Sequence, residues 1–257
     1  SSLGIYGFIG GVETGLYYMA FAVASIVYTF SGSILSLMFP VLSGMEDGRK
    51  RAISRAIRLS LAISVPLSLG LALYPSVPLS LLGPTYVYAS DSLRILALGA
   101  MVSPIVSGYT SYVYATGRYL HVALIGLLAD GSRLILYALL IPMLGELGAA
   151  TAYSLGFLAS MVAVLHSVSS TGYRVNWTEA LEIIAIPTAV AMGFFFLNLH
   201  WLIMIPVLLS SSFLTYARLG IVTKTDLLEI SQAFLSEEYI SRIRFHTKFI
   251  FKLLYGK

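Results

Sequence analysis

Seven stretches of this chain stay apolar for about 20 residues, the length one α-helix needs to cross the ~30 Å hydrocarbon core of a bilayer. They run at Tyr17–Leu42, Leu59–Leu82, Ile95–Ala115, Val122–Leu144, Leu147–Val168, Ile183–Leu199 and Leu202–Leu219. An earlier stretch, Leu3–Gly10, reads as the tail of another span. A chain so organised cannot dissolve in water. Only 11% of its 257 residues are charged, less than half the ~25% that covers a soluble domain. The expectation is therefore an all-α, polytopic membrane helix bundle.

The connections between these stretches alternate in charge. Gly44 to Arg58 holds Arg49, Lys50, Arg51, Arg55 and Arg58, while Gly83 to Ser90 holds no cation. Arg118 marks the next connection, Gly145-Glu146 the one after it, then Arg174; Asn198–Trp201 has no Lys or Arg, and the end of the chain is basic. Cytoplasmic loops of membrane proteins carry the excess of Lys and Arg. The pattern predicts that Arg49–Arg58, Arg118, Arg174 and the C-terminal tail are cytoplasmic in the cell membrane, with Glu13, Gly83–Ser90 and Glu146 outside. The net charge of +4 is thus spent on orientation rather than on nucleic acid. Thr225–Leu254 mixes Leu228, Phe234, Leu235, Ile243 and Ile250 with Arg242, Arg244, Lys248 and Lys252. It reads as an amphipathic helix lying on anionic membrane lipid.

Enzymatic and cofactor chemistry finds no foothold. There is no Cys, and His121, His166, His200 and His246 stand too far apart in sequence to suggest a metal site. No phosphate-cradling glycine loop, nucleophile elbow or zinc-protease signature occurs. No catalytic residue, metal or cofactor is assigned, and the chain is not expected to be an enzyme. Asn176-Trp177-Thr178 matches a glycosylation acceptor, but the charge pattern puts it in the cytoplasm. Pro66 and Pro104, inside spans, are candidate hinges.

A series of short motifs follows in fixed order: Gly11-Val12-Glu13-Thr14-Gly15-Leu16-Tyr17, Met38-Phe39-Pro40-Val41-Leu42-Ser43, Leu81-Leu82-Gly83-Pro84-Thr85-Tyr86, Ser92-Leu93-Arg94-Ile95-Leu96-Ala97, Ala115-Thr116-Gly117-Arg118, Ile141-Pro142, and GELGAAT from Gly145 to Thr151. Over about Ser1 to Ser170 the series resembles the C-terminal half of the polysaccharide and oligosaccharide flippases of the multidrug/oligosaccharidyl-lipid/polysaccharide exporter superfamily. The resemblance implies two six-helix lobes enclosing a cavity, with a further helix pair in longer members. It divides this chain into a C-terminal lobe at 1–170 with its first helix truncated, an accessory helix pair at 171–219 and a basic cytoplasmic tail at 220–257. The missing N-terminal lobe becomes a partner, beside membrane lipid and a lipid-linked glycan substrate. A cation-coupled multidrug antiporter of the same superfamily is the alternative. A membrane enzyme of glycan assembly is a weaker one, given the short outer loops.

Ionisable side chains inside a span are costly and by default functional. Asp130 and Arg133 lie three apart in Val122–Leu144, so they share a helix face and can pair, and Tyr137 continues that face. The resemblance places a polar amide near Arg133 and Tyr137, so this chain adds charge there. Arg94 stands at the outer end of a span, three residues from Asp91, on one of the motifs. Arg133, Asp130, Tyr137 and Arg94 are the candidate substrate-binding residues. The small residues of GELGAAT and the Gly83-Pro84 turn read as structural.

Overall fold

A computed structural model of the chain describes residues 11–45, 47–173, 175–196, 200–223 and 226. The stretch Leu3–Gly10 and the amphipathic helix over Thr225–Leu254 lie outside these residues, apart from Asp226. Among the described residues every regular element is helical: α1 Gly11–Gly44, α2 Arg49–Leu73, α3 Ser76–Leu82, a 3-10 turn Pro84–Ala89, α4 Ser90–Ala100, α5 Ser103–Ala115, α6 Tyr119–Thr171, α7 Trp177–Phe196 and α8 Trp201–Arg218. Helices α1, α2, α6, α7 and α8 are long and apolar enough to cross a membrane, and Pro84–Ala100 with α5, bent by 43° at the break, passes the same test as a pair. Backbone amides have no water to bond to in hydrocarbon, which is why the chain spans as helices.

Helix α6, 53 residues long, is two arms folded at Gly145, whose φ of 58° and ψ of −131° are not helical. The arms, 119–144 and 147–171, run back to back. Arg118 donates to the Ser170 carbonyl at 2.8 Å at the open end, and a Cβ on Gly148 would collide with the Leu140 carbonyl near the turn. The GELGAAT run thus packs one arm on the other, as its small residues predict: Gly148 permits the contact, and Ala149 and Ala150 are fully buried. The boundary expected between Leu144 and Leu147 is the observed one.

Other boundaries differ from the sequence reading. The basic stretch taken as a loop to Arg58 is already helical from Arg49, because Arg and Lys are good helix formers and a helix can continue into the interface. Leu59–Leu82 is not one span: α2 stops at Leu73 and α3 restarts after Pro75, since the residue before a proline is pushed out of the helical region. The span Ile95–Ala115 begins at Ser90 and bends after Ala100, with Pro104 in the first turn of the continuing helix. Pro104 thus marks a break; Pro66 lies buried inside an uninterrupted α2. Gly83, at φ 144°, ends α3 and Pro84 opens the 3-10 turn, as expected of that pair.

Helix α2 forms the centre, packed on α1, α4, α5, α7 and α8, while α1 and the α6 hairpin close around α4 and α5. One apolar core joins Leu35, Ile53, Leu61, Val65, Ile105, Tyr109, Val164 and Tyr216; a second, toward the other end, joins Tyr17, Leu79, Leu93, Leu96 and Ile141. Small residues let backbones close up: Gly108 admits Ile57, and Gly99 admits Ser154. Hydroxyls tie the helices across the gaps, with Ser31 on Ser64, Tyr109 on Thr171 at 3.0 Å, and Tyr216 donating to the Ile183 carbonyl at 2.6 Å. By contrast Leu127, Leu134, Ile135, Met143, Phe195 and Phe196 are exposed, the apolar exterior that a bilayer covers.

The connections sort to two ends. Lys50 Nζ reaches the Gly172 carbonyl at 2.8 Å, and Arg118 reaches Ser170, so the basic connections gather at one end. Glu13 abuts Gly145 at the opposite end.

Candidate functional site

The first arm of α6 puts Asp130, Arg133 and Tyr137 on one face, and the second arm supplies what they meet. Arg133 is the fifteenth residue of the 119–144 arm, about 21 Å along it. Its Nη1 donates to Asp130 Oδ1 at 3.0 Å. Its guanidinium carbon lies 4.3 Å from the ring centre of Tyr153 and 4.7 Å from that of Phe157. Tyr28 of α1 stacks on Phe157 at 5.3 Å, Phe21 meets Tyr153 edge-on at 5.0 Å, and Tyr17 stacks on Phe21 at 6.0 Å. Tyr137 packs against the apolar cluster that holds Tyr17. The Arg133 side chain is 16% exposed, whereas Asp130 is 75% exposed. A guanidinium seated on two rings gains roughly 0.5–1 kcal/mol from each, and more when dry. The cation is therefore held by the aromatic wall as much as by its carboxylate, and its Nε is buried with no hydrogen-bond partner.

Gly156 makes this possible. A Cβ there would overlap the Arg133 side chain, so the second arm leaves the arginine a slot one residue from Phe157. Of the four candidate residues the structure unites Arg133, Asp130 and Tyr137. Arg94 stands apart: its Nε donates to the Ala72 carbonyl at 3.0 Å and its Nη1 to Asp91 at 2.7 Å. It borders an apolar recess with Leu69, Leu98, Met192 and Phe195. The aromatic partners Tyr17, Phe21, Tyr28, Tyr153 and Phe157 were not singled out from the sequence. Their one signal is helical spacing, Tyr17 and Phe21 four apart and Tyr153 and Phe157 four apart, which any packed helix also shows.

At the hairpin turn, outside both arms, Glu146 is pushed up from 4.5 to about 7, first by burial and then by the carboxylate of Glu13. A carboxyl whose folded-state value is raised binds its proton more tightly when folded. Its contribution to stability is complete below about 4.5 and is lost as pH climbs toward 7. Thermal unfolding of the detergent-solubilised protein is expected to occur at a lower temperature at pH 8 than at pH 5, and Glu146→Gln should shrink that difference.

No known-family profile matches the sequence. An uncharacterized membrane protein of Methanocaldococcus jannaschii is 30% identical over 145 residues, which cover 54% of this chain and 29% of that protein. In structure, the chain is similar to the lipid II flippase MurJ in its inward closed conformation, with a TM-score of 0.73 at 15% identity, over 82% of this chain and 48% of MurJ. The chain thus spans less than half the length of either protein. The motifs and the likeness in three dimensions agree on one architecture: this is a membrane protein whose helical bundle has the MurJ-like fold.

Proposed function

We propose that this chain is part of a membrane flippase that moves a lipid-linked oligosaccharide or polysaccharide precursor across the cell membrane, acting with an N-terminal lobe. The observation that carries the proposal is Arg133, a cation at mid-span with a buried, unpartnered Nε and a single exposed carboxylate as counter-charge. A largely buried cation there is expensive and by default functional, and a lipid-linked glycan brings an anion for it in its phosphate or pyrophosphate. The guanidinium fork suits phosphate better than a point charge does. The likeness to a lipid II flippase supports the class of cargo. Tyr137, beside Arg133 on the same face, is assigned to the same site, and Asp130 holds the guanidinium in register.

The test is leaflet exchange of a lipid-linked oligosaccharide by the whole protein in liposomes, set against efflux of a cationic drug. Lipid exchange without drug efflux is expected; drug efflux alone would favour the antiporter. Residues 1–257 by themselves should give no exchange, because one lobe does not enclose a pathway.

Orientation is tested with the same protein. A single cysteine at Gly48 should react with an impermeant thiol reagent only from the cytoplasm, and those at Thr85 and Glu146 only from outside. Residues 1–257 contain no native Cys that would compete for the reagent. Reaction of positions 48 and 85 from the same side would overturn the topology.

A further inference from the structure

The basic end of α2 is built unlike an ordinary helix start. Backbone N–H groups at a helix N-terminus favour negative charge, yet the first turn of α2 carries Arg49, Lys50 and Arg51, and Gly48 before it offers no side-chain cap. Repelled from its own helix dipole, this cluster calls for an anion. Part of the demand is met within the chain. Asp226, fully buried, accepts from Arg55 and lies 3.7 Å from Arg58, and Glu179 accepts from Arg58 at 3.1 Å. Burial alone would raise the Asp226 carboxyl, but hydrogen bonds from the Thr223 hydroxyl and amide, and then Arg55, outweigh it and hold it below the usual range. These carboxylates show that Arg55 and Arg58 are set to grip oxygen anions.

Lys50 and Arg51 meet no carboxylate among the described residues. A cavity of about 600 Å³ opens among Lys50, Arg51, Arg55, Arg58, Tyr173 and Asn176. Among the described residues, Lys50, Arg51, Arg55 and Arg58 line it with the single carboxylate of Glu179, while Arg55 and Arg58 also meet the buried Asp226. Lys50 is engaged only with the Gly172 carbonyl, and Arg51 is exposed with no hydrogen-bond or ion-pair partner among the described residues. Behind the cavity, between Ile57, Leu61, Ile105 and Ile183, the apolar crevice shrinks to about 20 Å³. That is room for one water and not for an acyl chain. The site therefore admits a charged head from the membrane surface while its tails stay in the bilayer.

We propose that Lys50, Arg51, Arg55 and Arg58, with Tyr173 and Asn176, form a binding site for the phosphate of an anionic membrane lipid, separate from the Arg133 site. Each Lys or Arg near an anionic surface is worth about 1 kcal/mol, or roughly fivefold in affinity. The ligand is a lipid rather than a soluble phosphate because the cavity lies at the end of the spans, where head groups are concentrated.

Trp177 opens α7 directly after Asn176 and serves as the reporter. Replacing Trp201 by Phe leaves Trp177 as the sole tryptophan of the chain, which has two. The chain is placed in mixed micelles holding either brominated phosphatidylglycerol or brominated phosphatidylcholine, and quenching of Trp177 reads which lipid sits beside it. The anionic lipid is expected to be preferred by about fivefold or more. Lys50→Gln with Arg51→Gln should bring the preference close to one, while Arg218→Gln, at the end of α8 and away from the cavity, should keep it. Inorganic pyrophosphate added in excess should lower the preference by competing for the same cations. Equal quenching by both lipids in the parent chain would overturn the site. So would a preference that survives the double substitution. Pyrophosphate shifting Trp177 emission with no lipid preference would assign the cavity to a soluble phosphate and overturn the lipid assignment.

Discussion

Replacing Arg133 by Gln in the complete protein should cut leaflet exchange of a lipid-linked oligosaccharide by roughly tenfold to a hundredfold, the loss of a charge-assisted hydrogen bond worth about 1.5–3 kcal/mol. The fold should survive. What the protein itself loses is the contact with Tyr153 and Phe157, about 1–2 kcal/mol for two rings, and burying an amide costs less than burying a charge. Asp130→Asn alone should be mild in stability, because the carboxylate is exposed and its pair with Arg133 spans only one helical turn, a contact worth about 0.5 kcal/mol. The double variant Asp130→Asn with Arg133→Gln separates two roles. A pair that merely locked the arms together would be relieved by removing both charges, and exchange would return. A cation that grips the cargo would not be relieved, so the double variant should insert normally and still fail. Arg133→Lys should keep part of the activity, since it retains the charge and loses the planar fork. Normal exchange by the double variant would reduce Arg133 to a packing residue.

Gly148→Val should be the most damaging single substitution in the described chain. Its Cβ would strike the Leu140 carbonyl, which is backbone and cannot swing aside. Forcing atoms into a close-packed contact costs typically 1–3 kcal/mol where side chains can yield, and here the two arms of α6 must part instead. The expected result is little folded protein after extraction and an early unfolding transition for what remains. Gly126→Ala, on the first arm, is the control: nothing lies within 4 Å of the new methyl, and alanine favours helix by about 1 kcal/mol over glycine. Equal yields for the two variants would mean that the arms are not in contact.

The membrane class, the span from Val122 and the turn before Leu147 were legible because hydrophobic length and a Gly-Glu interruption are local properties. So was the gathering of basic connections at one end, since loop charge needs no knowledge of packing. The helical start at Arg49 was not, because composition marks where hydrocarbon ends and not where a helix does. Nor was the break before Pro75: within an apolar run, one proline bends some helices and passes unnoticed in others, as Pro66 does. At the site, Asp130, Arg133 and Tyr137 could be grouped from spacing along one helix. Their aromatic partners on α1 and on the second arm could not, because nothing in sequence separation ties Tyr28 to Phe157. Arg94 carried the same chemical signal as Arg133 and sits at a different place, paired with Asp91 and a carbonyl.

The hairpin also bears on how such a chain is made. Its arms meet at residues that sum to nearly the same number, Leu140 with Gly148, Arg133 with Gly156, Arg118 with Ser170. Contacts nested in this way can close progressively from the turn outward, each using a loop already shortened by the one before. Arg133 leaves the ribosome ahead of Tyr153 and Phe157, so during synthesis its arm is briefly a span with an unsheltered cation. Delivery of the two arms to the bilayer as one unit removes that exposure. The rings that hold the guanidinium in the finished protein would then be its escort during insertion, and weakening them should be felt first as failed biogenesis.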